Sequence, residues 1–246
     1  MVNTHSAGLI AAGAVVERTA SVVRGLCENA IDAGAKHVSV IIDKGGSARM
    51  EIQDDGSGVE AEDIPLAFLR HATSKVRTEA DLESIVTLGF RGEALASIAS
   101  VAQVELLTKT EADEFASRYV IHGGQEQGLE AAARGIGTTI TVKNLFYNTP
   151  ARMKFLKKDT SEGTFVTETV TRLALSHPEI AFDFTRDGKK VFSTPGDGLV
   201  QSAAYAVLGS AFARDLLAVA QQTGQYEVNG LITPPTASRA SRAMQF

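Results

Sequence analysis

Three short segments of this 246-residue chain combine carboxylates, amides and glycines at spacings that suit chemistry. In ENAIDAG (residues 28–34), Asn29 and Asp32 lie four and seven positions after Gly25, so all three share one face of a helix. An asparagine amide there can offer an oxygen to a hydrated magnesium ion, a hard cation that prefers oxygen ligands. In DDGSG (residues 54–58), a carboxylate following a strand can accept a hydrogen bond from an exocyclic amine, and Gly56 and Gly58 let the backbone approach a flat ring. In LGFRGEAL (residues 88–95), Gly89 and Gly92 free backbone N–H groups ahead of a helix start, a place that binds phosphate well. Taken singly, each has a plainer reading: an amphipathic helix with a glycine cap, a turn, a loop. Gly25 does not fit its helix, because an interior glycine costs about 1 kcal/mol relative to alanine. It is a close-packing point, an accident or a missing side chain.

The elements that must position these residues can be read from periodicity. Val22, Val23, Leu26, Cys27, Ala30 and Ile31 recur at helical spacing. HVSVIID and ARMEIQD alternate around KGGS as a hairpin, and Ala61 to His71, Glu79 to Val86 and a segment from about Glu93 have helical patterns. VAQVELLTKT, SRYVIHG and GTTITVKNLF suggest an antiparallel meander with a Gly-rich turn inside it. Lys154 to Leu175 is expected to be mostly helical, IAFDFTRDGKKVFST a hairpin turned at RDGK, and Ala203 to Ala211 a helix before two further strands. Helices and strands that do not alternate strictly favour an α+β two-layer sandwich over a doubly wound parallel sheet. Walker A and complete GxGxxG sequences are both absent. PGDG marks a division, with 1–197 as one domain and 198–246 as the incomplete start of a second.

Composition narrows the class. The chain is 44% hydrophobic and 22% charged, and no apolar run approaches the roughly 20 residues of a membrane helix. The start lacks the pattern of a signal peptide, and the single Cys27 cannot form an internal disulfide, so the expected location is cytoplasmic. The five histidines show no metal-ligand spacing, His71 is expected to be structural, and Cys27 is expected in the core. The net charge of −5 argues against a generally basic surface. It conceals a tract from Ala131 to Lys158 without Asp or Glu, in which Arg152, Lys154, Lys157 and Lys158 cluster. That cluster is either a contact for DNA phosphates or a solvated helix face.

The segments IAAGAVVERTASVV, ENAIDAGA, DDGSG, RHATSK, LGFRGEALASI, GTT and LFYNTPAR follow one another as in the DNA mismatch repair MutL proteins, members of the GHKL ATPases. From about Ile10 onwards the sequence resembles that family. The resemblance implies a Bergerat-type (GHKL) sandwich of mixed, mainly antiparallel sheet and helices, followed by the start of a ribosomal S5-like subdomain. It also implies Mg-ATP binding. Asn29 would bind the magnesium, Asp54 would hold the adenine amine with Thr138 supporting it, and Asp32, Ala33, Gly56 and Gly58 would line the site. Thr73, Ser74 and Lys75 would belong to a lid, and Leu88, Gly89, Phe90, Arg91, Gly92, Glu93, Ala94 and Leu95 would enclose the phosphates. ATP occupancy would drive homodimerisation and couple to DNA, non-sequence-specifically, and to a mismatch-recognition partner of the MutS type, in the cytoplasm or at the nucleoid.

Four departures stand in the first helix region: Ala14 for Glu, Thr19 for Pro, Arg24 for Lys and Gly25 for Glu. In the family that last Glu is the general base that activates water, and glycine has no group to accept a proton. Glu28 is a candidate substitute, though it points about 60° away around a helix of 3.6 residues per turn. Asp55 replaces an Asn, and its charge could raise a neighbouring carboxyl pKa. The chain also ends at Phe246, before the lysine of the second subdomain, and reads as a fragment or truncated paralogue. The function expected is nucleotide binding with impaired hydrolysis. The alternatives are a binding module without turnover and an ATPase domain of another GHKL protein, such as a type II topoisomerase.

Overall fold

The computed structural model describes residues 16–69 and 94–237. The proposed lid residues Thr73, Ser74 and Lys75, the loop residues 88–93, and the helix expected over 79–86 lie outside those residues. So do Ala14 and His71.

Helix α1 (Thr19–Asp32) buries Val22, Val23, Leu26, Cys27 and Ala30, the stripe expected from spacing. Its first turn is held by a reciprocal pair, in which the Arg18 N–H donates to Ser21 Oγ and that hydroxyl donates to the Arg18 carbonyl. Gly34, with φ of +76°, ends it. Strand β1 (His37–Asp43) turns through a short 3₁₀ segment at Lys44–Gly46 into β2 (Arg49–Asp54). A four-residue helix α2 (Ile64–Ala67) precedes α3 (Ala94–Val101), β3 (Gln103–Lys109), β4 (Ala116–His122), β5 (Gln125–Ala132) and β6 (Gly137–Lys143). Helices α4 (Pro150–Met153) and α5 (Asp159–Ser176), strands β7 (Ala181–Arg186) and β8 (Lys189–Ser193), and helices α6 (Val200–Leu208) and α7 (Ser210–Ala213) follow. A separate two-stranded sheet pairs β9 (Leu217–Thr223) with β10 (Tyr226–Ile232).

The main sheet has eight strands in the order β5-β4-β3-β6-β2-β1-β7-β8, antiparallel except for the parallel β1/β7 pair. Alternation makes it one-sided. Its inner face is built in rows by register, Met50 beside Val142 and Val104, then Ile52 beside Ile140 and Leu106, all buried. Helices α1, α3 and α5 cover those rows and extend the same core with Leu26, Ile98, Val166 and Val170. The outer face carries Arg49, Glu51, Gln53, Thr139 and Glu105. This is the expected two-layer α+β sandwich.

Several local expectations are corrected. Within the described part of the segment expected to be helical over 61–71, only Ile64–Ala67 is regular α-helix; Ile64 and Phe68 are buried and Leu66 is half exposed. QEQGLEAA is not a turn but strand β5, exposed almost throughout and made by backbone pairing to β4 rather than by apolar alternation. The meander is broken because β6 pairs with β3 and β2. The helix expected from Lys154 begins at Asp159, and the one expected over 203–211 divides at Gly209, whose φ is +82°. Both outermost strand pairs carry a register shift, at Val120/Ile121 and at Phe184/Thr185.

Cys27 lies in the core with no exposed surface, and burial, followed by the charges of Glu28 and Asp54, pushes its thiol up to about 12. The native protein at pH 8 is therefore expected to leave a disulfide reagent such as DTNB unreacted, and to release one equivalent once guanidinium unfolds it. Prompt stoichiometric reaction in buffer alone would contradict this packing.

Candidate functional site

The apolar inner face ends in a row of different character. One step beyond Ile52, Ile140 and Leu106, register places Asp54 beside Thr138 and Thr138 beside Thr108. Asp54 Oδ1 accepts from the Gly56 N–H at 2.9 Å and from the Thr138 N–H at 3.2 Å. Among the described residues both bonds fall on that one oxygen, which leaves Oδ2 to receive a donor from outside the sheet. Burial raises the Asp54 pKa, the two backbone amides and Arg134 oppose the rise, and Asp55 adds only a small push upward. Thr138 therefore meets Asp54 through its main chain. Its hydroxyl instead pairs with Thr108 Oγ1 at 3.0 Å.

Two residues missed by sequence reasoning complete this corner. Thr108 Oγ1 accepts from the Val59 N–H and donates to the Gly137 carbonyl, joining the loop after DDGSG to β6. Its signal was available: in VELLTK a threonine falls where the alternation calls for another apolar side chain. Arg134 donates to the carbonyls of Asp54 and Leu107, tying β2 to β3.

The DDGSG turn is clamped to the end of α1. The Ser57 N–H donates to the Ala33 carbonyl, and a Cβ on Gly56 would come within 2.8 Å of Ala33 Cβ. Gly58 has φ of +75° and would meet the Lys109 carbonyl, so both glycines are demanded by the fold itself. Asp55 accepts from the N–H groups of Lys36 and His37 at 2.7 and 2.8 Å. An asparagine oxygen could accept the same pair, so the departure at this position leaves the geometry intact.

Gly25, Asn29 and Asp32 lie half-buried on the stripe of α1 that ends beside this turn. Among the described residues a Cβ built on Gly25 would meet one neighbour, Ala94 Cβ at 3.9 Å, an ordinary contact. Among the described residues nothing crowds a Cβ at Gly25, so they do not make it a packing glycine. Ala94 begins α3, so its N-terminal end faces the middle of α1, while Leu95 packs against the core. Glu28 is engaged elsewhere: its Oε1 accepts from Arg24 Nε at 2.6 Å, one turn earlier.

The basic residues do not join this site. Arg152 lies in α4, and Lys154, Lys157 and Lys158 lie in the turn between α4 and α5, so the tract is a loop rather than a helix face. A cleft of about 400 Å³ beside it is lined by Ser47, Leu145, Met153, Lys157 and Glu162. It sits by the β1/β2 turn, at the opposite end of the sheet from Asp54, and lacks the polar row just described.

Residues 17–134 match the family model described as histidine kinase-, DNA gyrase B- and HSP90-like ATPase. The DNA mismatch repair protein MutL of Leuconostoc citreum is 45% identical over 96% of this chain and 35% of its own length. That of Symbiobacterium thermophilum is 45% identical over 100% of this chain and 39% of its own length. The chain therefore spans a little over a third of these curated relatives. The structure of the Aquifex aeolicus MutL ATPase domain complexed with ADP is similar at a TM-score of 0.67 and 26% identity, covering 84% of this chain and 73% of that one. The N-terminal domain of a DNA repair protein is similar at a TM-score of 0.80 and 26% identity, covering 96% and 74%. Shared sequence, the one-sided mixed sheet and the ATPase model agree: the chain belongs to the MutL family of DNA mismatch repair proteins, in the region that carries the GHKL ATPase domain.

Proposed function

We propose that this chain binds Mg-ATP at the corner formed by Asp54, the DDGSG turn and α1, and turns it over slowly if at all. The observation that carries the reading is the position of Gly25, where no described residue crowds a Cβ and the sequence supplies none. Asp54 Oδ2 would accept the adenine amine, and its low-polarity surroundings strengthen that bond relative to water. Asn29 would offer its amide oxygen to magnesium, with the phosphates completing an oxygen shell, and the segment 88–95 would lie along them up to the start of α3. Removing a general base costs about two to four powers of ten in rate, which leaves binding possible and turnover negligible. Glu28 is a poor replacement because Arg24 already holds one of its oxygens.

Nucleotide occupancy on this reading is a signal. A state whose lid contacts the γ-phosphate is favoured by ATP over ADP, and that state would favour a homodimer and engagement of a mismatch-recognition partner of the MutS type. Arg152, Lys154, Lys157 and Lys158 would contact DNA phosphates without sequence preference. Residues 198–246 would begin the second subdomain, and the site of action would be DNA in the cytoplasm.

A Mg-ATP titration run beside phosphate release on one sample is expected to show saturable binding with release at background. Gly25→Glu, in a chain extended through the second subdomain, is expected to raise release roughly a hundredfold or more. Ordinary turnover by the unmodified chain that Glu28→Ala abolishes would overturn the assignment and make Glu28 the base.

Asp54→Asn separates binding from folding. Asparagine keeps an oxygen for the Gly56 and Thr138 amides but presents no carboxylate to an amine, so ATP binding is expected to fall sharply. Because the folded state raises the Asp54 pKa, it holds that proton more tightly than the unfolded chain does. Wild-type stability from this group therefore falls as pH rises from the unfolded carboxyl range, about 4, through the raised folded value, then levels off. The melting temperature of Asp54→Asn relative to wild type should climb across that window and stay flat above it. A difference that shrinks with rising pH would mean the carboxylate is stabilised in the fold.

A further inference from the structure

We infer that the turn between α4 and α5 is a single-strand DNA contact in which Phe155 stacks on an unpaired base while the flanking lysines hold the backbone. The inference rests on the DNA reading above and names the form of DNA. Phe155 is 86% exposed, the most exposed large apolar side chain among the described residues. It stands between Lys154 and the pair Lys157 and Lys158, all exposed, with Asp159 the next acid along the chain.

The ring is presented outward by a turn anchored on both sides. The Phe155 N–H donates to the Arg152 carbonyl at 2.9 Å and the Leu156 N–H to the Met153 carbonyl at 3.2 Å, while Leu156 packs against the core. The Lys157 N–H donates to Glu162 Oε1 at 3.1 Å. Glu162 is 2% exposed, and its other oxygen accepts from Thr19 Oγ1 at 2.9 Å. Lys157 Nζ lies 5.0 Å from the centroid of the Phe165 ring, which ties that side chain down as well. A turn fixed from beneath thus holds an aromatic face in water beside cations.

That combination discriminates between forms of DNA. Lysines alone read phosphates on either form, whereas a free aromatic face gains most from a base whose own faces are not already stacked in a duplex. Met153 and Tyr147, 47% and 40% exposed, line the neighbouring cleft with Leu156 and Lys157, the two residues that follow Phe155.

The chain contains no tryptophan, so Phe155→Trp introduces a sole indole at the position in question. Titrated with a single-stranded oligothymidine, its fluorescence is expected to be quenched, and a hairpin duplex of equal charge is expected to leave it nearly unchanged. Measured by anisotropy, Phe155→Ala should weaken oligothymidine binding about tenfold without altering duplex affinity or the slope against log salt. Lys154→Gln with Lys158→Gln should weaken both forms and flatten both slopes. An unquenched indole together with unchanged affinity of Phe155→Ala would end the stacking inference while the lysine effect kept the backbone contact. No DNA binding by the wild-type chain would defeat both.

Discussion

A carboxylate closing an otherwise apolar sheet face is the constraint around which this molecule is arranged. Asp54 is partly desolvated, and an unanswered charge in that position would be costly. Two main-chain amides answer it on one oxygen, and they arrive only if the turn after β2 folds back and if β6 lies beside β2 in a single register. The positive φ of Gly137 serves the same corner, since a Cβ there would run into the Asp54 carbonyl. Shifting β6 by one residue would send Thr138 to the outer face and break the row. The bonds that hold this carboxylate are thus inseparable from the geometry that closes the core.

Much of this was legible along the chain and some was not. The β1/β2 and β7/β8 hairpins follow from alternation around KGGS and RDGK, and the buried stripe of α1 from its spacing, because those signals are local. Strand β5 was invisible because its residues face water and only backbone bonds to β4 define it. The place of β6 between β3 and β2 is a long-range fact, with Thr138 lying 84 positions from the carboxylate it serves. Of the candidate site, family motifs pointed to Asp54 and Thr138, whereas the contact between them through the Thr138 amide rather than its hydroxyl is visible only in the fold. Thr108 and Arg134 escaped because neither sits in a recognisable motif.

Gly25 shows how the two kinds of reading combine. Periodicity alone reports a helix interior glycine with a small propensity cost, and motif resemblance alone reports a lost glutamate. Its surroundings among the described residues speak against a third account, close packing, since the one contact a Cβ would make with them is ordinary. Glycines elsewhere have the opposite character: at Gly45, Gly58 and Gly137 a side chain would collide with backbone carbonyls, and the conformation is left-handed as well. Residue identity is the same in all four places, and only the surroundings tell absence from necessity.

The register shifts in the two outermost strand pairs bear on how the sheet behaves in a crowded solution. An eight-stranded sheet has two open edges, each a template on which another chain's strand could grow. Here both final pairs are irregular, and the edges carry Glu126 and Glu130 on β5 and Lys189 and Lys190 on β8. A strand approaching either side meets a bent ladder and charges that must shed water. Growth into a fibre is discouraged at both edges of the main sheet.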